Sequence, residues 1–282
     1  MEEKNKRVKQ SNTKVKAIEG IGSIILIYLS IMIVFGALRD VLGKAFYPDF
    51  FKSSDGNYLF VGIANIALCV LIPMIVKKNT NKSIRRYFYV RRLRISDLLM
   101  VFLTAYAVPR LVMHFEGLLL SGRMTIEEAS STNKTLIFFL SAVLIAPVAE
   151  EILMRYALIE HMRKNFSRMT ILLFTGLLFA FLHGYNVQGF TCTFLSFLFV
   201  SVYYLRTGNL LFTIIWHVSY NLILYIMESK VFDEFWNSIY YVENGFIIYR
   251  PVGLVGLIIL SIAGILYYYL CGYSRNGKSN IG

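Results

Sequence analysis

The sequence predicts an all-α, polytopic integral membrane bundle of about eight transmembrane helices. Three observations predict it. The 282 residues are 56% hydrophobic, with a mean hydropathy of +0.57. Only 16% are charged, against roughly 25% in soluble domains. Several apolar runs reach the about 20 residues that a helix needs to cross hydrocarbon. No polar stretch is long enough to fold alone. One membrane domain is therefore expected over 18–272, between a basic tail at 1–17 and a short tail at 273–282.

The expected spans are 18–38, 58–76, 95–115, 134–158, 169–186, 188–205, 209–228 and 247–271. The first is too long for a signal-peptide core and lacks a small-residue cleavage site, so it reads as an uncleaved helix. The third contains Pro109 and Arg110. The segment 116–134, with Glu127 and Glu128, reads as an external loop. Gly184–Tyr185–Asn186 separates the fifth and sixth spans so tightly that an antiparallel helical hairpin is expected. The eighth carries Gly253, Gly256, Ser261, Ala263 and Gly264, small residues that let helices approach closely.

The net charge of +12 does not indicate nucleic acid. The basic residues lie in short stretches beside apolar runs, as topology signals and contacts for anionic lipid do. With the N-terminus in the cytoplasm, 20 of the 29 Lys and Arg fall on that side. Eight, Arg110 among them, fall on the other, and Arg155 lies within a span. Both termini are thus expected in the cytoplasm. Cys69, Cys192 and Cys271 lie in apolar runs with no metal-like spacing and read as buried small side chains.

Ionisable groups inside hydrocarbon cost about 2.5–3.5 kcal/mol on insertion scales, so they need partners or a polar cavity. Three clusters stand out. In the first, Glu150 and Glu151 precede Arg155. Glu151 and Arg155 are spaced i,i+4 in the favourable order for an ion pair, which leaves Glu150 to face a cavity. Pro147 removes a backbone hydrogen bond just before them and should kink the helix. The pair could equally sit at the membrane interface beside Arg163 and Lys164. In the second cluster, His183 ends a helix four residues after Phe179, where a histidine can also serve terminal carbonyls. In the third, His217 and Asn221 share a helical face, as interhelical hydrogen-bonding groups often do. His114, with Glu116 nearby, and His161 read as interface residues. Acidic residues, two histidines and an asparagine on three apolar helices could together supply a base, a water partner and oxyanion donors.

These clusters are written EExxxR, FxxxH and HxxxN, and in that order they resemble the type II CAAX prenyl endopeptidase and bacteriocin-processing family, also called CPBP or Abi. The resemblance covers chiefly 134–228, the expected catalytic core. It implies intramembrane proteolysis. Glu150 would activate water, His183 would hold it, and His217 and Asn221 would stabilise the oxyanion. Glu151 and Arg155 would be structural, and Phe179 would help position His183. No cofactor is favoured. If zinc were used, Glu150, His183 and His217 are permissible ligands by type, and no HExxH pattern is present. The expected partners are the bilayer and a peptide or membrane-protein substrate. The Lys/Asn/Ile/Phe-rich composition has a low-GC Gram-positive character, which favours peptide maturation, bacteriocin processing or self-immunity. A non-catalytic scaffold or immunity protein and a small-solute transporter are the alternatives.

Overall fold

The helices form where the apolar runs lie. A computed structural model describes residues 2–45, 49–50, 53–80, 83–88, 95–123, 135–183, 187–227 and 233–276. Among these, α1 is Glu2–Ala45, α2 Ser54–Thr80 and α3 Ile95–Leu120. The helix α4 spans Leu136–Met162, α5 Arg168–His183, α6 Val187–Thr207 and α7 Leu210–Met227. A short α8, Asp233–Ile239, leads into strands β1, Tyr240–Glu243, and β2, Phe246–Tyr249. The last helix is α9, Pro251–Asn276. Among the described residues, seven helices contain a stretch long and apolar enough to cross a membrane. The chain is a multi-pass membrane protein. At 16 residues, α5 falls short of the usual spanning length.

Several expectations change. The basic N-terminal segment continues into α1 instead of standing apart, with the apolar stretch beginning at Val15. The helix α3 runs to Leu120, so the segment after 115 begins as helix; 124–134 lies outside the described residues. The connection Gly184–Asn186 also lies outside them. The eighth span starts at Pro251, because 246–249 pairs with 240–243 in an antiparallel hairpin. Its turn is Asn244–Gly245, both at positive φ (52° and 82°). That dipeptide between β-branched and aromatic residues is a strong hairpin signal, which helix-scale hydropathy obscured.

The described residues divide into two units. One draws on 1–87 and 133–175, the other on 88–132 and 176–282.

In the first unit, α1 and α2 pack with α4. Gly62 admits Ser141, whose Oγ lies 2.5 Å from where a Cβ would be. Thr135 begins α4 by accepting from the Phe138 N–H at 3.1 Å, and its hydroxyl donates to Asp55 at 2.6 Å. At the other end, Glu160 accepts from Arg163 at 2.9 Å and Tyr87 at 3.1 Å. Burial, with Glu160 beside it, pushes the Tyr87 phenol up.

In the second unit, α3 meets α6, α7, α9 and β2. Its core includes Val101, Val200, Tyr203, Phe212, Trp216 and Tyr268. Tyr203 stacks on Phe212 at 3.8 Å, and Tyr268 meets Phe212 edge-on at 5.0 Å. Thr104 is the polar joint. It donates to the Met100 carbonyl at 2.7 Å and accepts from Trp216 Nε1 at 3.2 Å, while the Tyr268 hydroxyl lies 3.2 Å away. Gly264 makes room for the Thr104 methyl, so the small residues of α9 serve packing there. Since Trp216 is fixed in this way, the next residue, His217, has a defined place on α7.

Candidate active site

The residues of the three motifs are held by different devices in the two units. On α4, the backbone around Glu150 and Glu151 is not uniformly α-helical. Phe139–Ile145 and Ile152–Ile159 are π-helical, and Ala146–Glu151 between them is α-helical. Pro147 has no N–H for the carbonyl four residues earlier, which favours a shifted bonding pattern upstream. The Ala146 N–H indeed bonds to the Ser141 carbonyl, five residues back. The proline is thus met by a wide turn of helix.

Glu151 is 1% exposed and Arg155 2%, and their charged atoms lie 3.0 Å apart. The i,i+4 ion pair expected from the sequence is present and buried within the protein. Such a pair loses hydration on both partners and holds only while both remain. Glu150, one residue earlier, is half-buried.

In the second unit, α5 presents Phe179 and His183 one turn apart. His183 Nδ1 lies 2.9 Å from the Phe179 carbonyl. A carbonyl can only accept, so Nδ1 carries the proton, and in the neutral ring Nε2 is the acceptor nitrogen. The two rings lie 4.3 Å apart and tilted by 33°. Phe179 also meets the edge of His217 at 5.9 Å and Phe197 at 4.7 Å. Its ring therefore touches both histidines. His217 is buried, while His183 and Asn221 are half-buried. Asn221 follows His217 by one helical turn on α7.

Within each unit, no group of three His, Cys, Asp or Glu among the described residues is placed to hold a metal ion. No step below is routed through one.

Three residues read as external or interfacial belong elsewhere. Arg110, His114 and Glu116 are 1%, 2% and 7% exposed, inside α3. The reason is that α3 continues to Leu120 and the hairpin packs against it. His114 Nδ1 accepts from the Tyr249 N–H at 2.9 Å. Burial pushes the neighbouring Tyr249 phenol up. Arg110 is thus buried within α3 and not exposed at its end. An ionisable residue in an apolar run was the available signal, and membrane proteins give such residues a function by default.

Residues 132–223 match the family model of the type II CAAX prenyl endopeptidase Rce1-like proteins. The match covers about a third of the chain and contains all three motifs. The resemblance carried by Glu150–Arg155, Phe179–His183 and His217–Asn221 is borne out over that segment. No curated protein and no solved structure matches the chain. The apolar helices and the family match together support a membrane protease of the CAAX type.

Proposed function

We propose that this protein is an intramembrane endopeptidase that hydrolyses a peptide bond of a membrane-associated protein or peptide precursor with water activated by Glu150. The observation that carries the reading is the arrangement around Phe179. Its carbonyl selects the His183 tautomer with Nε2 as acceptor, and its ring packs against His217. A histidine serving only to cap a helix would have no need of a ring shared with a second histidine.

In this reading Glu150 removes a proton from water as the oxygen attacks the scissile carbonyl. His183 Nε2 accepts the second water hydrogen and orients the attack. His217 and Asn221 donate to the oxyanion of the tetrahedral intermediate. Collapse breaks the C–N bond, and the proton held by Glu150 passes to the leaving amine. Glu151 and Arg155 keep each other buried and so fix the turn that carries Glu150. A positioned general base contributes about 10²–10⁴-fold.

The low-GC Gram-positive character of the composition favours a bacterial peptide precursor as substrate, in peptide maturation or bacteriocin self-immunity. The placement of most Lys and Arg favours both termini in the cytoplasm of a cell-membrane protein.

The test is cleavage of candidate precursor peptides in proteoliposomes by wild type, Glu150→Gln and His183→Ala, each with and without chelator. Glu150→Gln is expected to lose about 10²–10⁴-fold in rate while unfolding like wild type. Undiminished cleavage by Glu150→Gln would refute the assigned base. Loss of wild-type activity on metal stripping, restored by zinc, would overturn the metal-free mechanism.

A further inference from the structure

Arg110 is a fully buried charged side chain that the proposed hydrolysis does not use. It is 1% exposed, on α3. Among the described residues no carboxylate forms an ion pair with it. Its Nε has no hydrogen-bond partner there. Nη1 and Nη2 reach thioether sulfurs, Met113 at 3.7 Å and Met227 at 3.1 Å. Tyr220 shares a hydrogen bond with it, and Tyr106, Cys192 and Tyr249 are close enough to act on it electrostatically; none of the four is a carboxylate.

A guanidinium carries five donors in a planar fork that matches a carboxylate. Sulfur is a weak acceptor, and methionine is the most easily rearranged of the apolar side chains. The two methionines therefore occupy the positions that carboxylate oxygens would take, and they can leave. Glu116 does not fill that role. It lies six residues along α3, about 120° around the helix from Arg110. Thr191 acts on its carboxylate as a hydrogen-bond donor.

The position along α7 says what would bring the anion. His217, Tyr220 and Met227 are spaced i, i+3 and i+10, on one helical face. Tyr220 and Met227 lie about 4.5 and 15 Å beyond His217 at the helical rise. An extended peptide covers those distances in roughly one to five residues at about 3.3 Å each. We infer that Arg110 receives a carboxylate of the substrate peptide, a few residues from the bond that is cut, with Met113 and Met227 as its displaceable cover. The carboxylate is either the peptide's C-terminus or an acidic side chain. The inference rests on the protease reading for its choice of a peptide.

The experiment measures binding of a dansylated apolar hexapeptide to the full-length protein in nanodiscs. Three forms are compared: a free C-terminus, a C-terminal amide, and an amide with one internal glutamate. Wild type is expected to bind one or both carboxylate forms at least tenfold more tightly than the plain amide. Whichever form gains identifies the source of the carboxylate. Arg110→Met and Arg110→Gln should bind all three forms at the affinity of the amide. Arg110→Lys, which keeps charge without the fork, should recover part of the difference. Wild type that binds acid and amide forms alike, or binds none, overturns the inference. So does a preference for carboxylate that survives in Arg110→Met. Mass analysis of the same samples reads cleavage separately. Undiminished cleavage by Glu150→Gln would sink the assigned base and leave the Arg110 binding difference standing.

Discussion

Two arginines are buried to the same degree and held in opposite ways. Arg155 on α4 meets the Glu151 carboxylate at 3.0 Å, four residues away on the same helix. Arg110 on α3 meets two methionine sulfurs, one of them on α7. The first charge is neutralised within its own element. Among the described residues the second has thioethers and a phenol about it and no carboxylate in an ion pair with it. A buried charge paired with a carboxylate is fixed by that pair, whereas one lacking a carboxylate among the described residues marks a candidate site.

Breaking the Arg155 pair should have the largest effect. Glu151→Leu leaves a buried cation and is expected to cost about 3–5 kcal/mol in unfolding by denaturing detergent. The double change Glu151→Leu/Arg155→Met should recover most of that loss. If the double variant is no better than the single, the pair is not what keeps Arg155 buried. At Arg110 the sign should reverse. Arg110→Met removes a burial penalty that no carboxylate among the described residues offsets, so the same measurement should show a gain of about 1–3 kcal/mol. A loss of that size would mean that Arg110 is structural, like Arg155, and the contrast would fail.

The smallest effect belongs to the cap of α4. Thr135→Ala removes the acceptor for the Phe138 N–H and the donor to Asp55. It should cost about 1 kcal/mol, as N-cap losses usually do, read from the shift of the thermal midpoint. Because this cap sits in the same helix as the Glu151–Arg155 pair, its cost sets the scale for a local change there. A loss as large as that of Glu151→Leu would show that α4 responds to any disturbance, not to its buried pair.

What was legible follows from distance along the chain. Glu151 with Arg155, and Phe179 with His183, are one turn apart, and helical geometry alone brings each pair together. Pro147 announced a disturbed helix, but the form it takes, π-helical turns on both sides, depends on where the displaced carbonyls find partners. His114 was misread because its hydrogen-bond partner, Tyr249, is 135 residues away. The hairpin that supplies this partner carried its own sign in Asn244–Gly245.

The sequence by itself determined a multi-pass helical membrane protein, a likeness to the type II CAAX prenyl endopeptidases over 132–223, and the side-chain pairs separated by one turn. Apolar run length and helical period need no tertiary information. Only the tertiary structure decided that Phe179 lies against His217, that Thr104 holds Trp216, and that Arg110 is buried among thioethers and phenols. Those contacts join residues on different helices, and no local pattern records which helix will lie beside which.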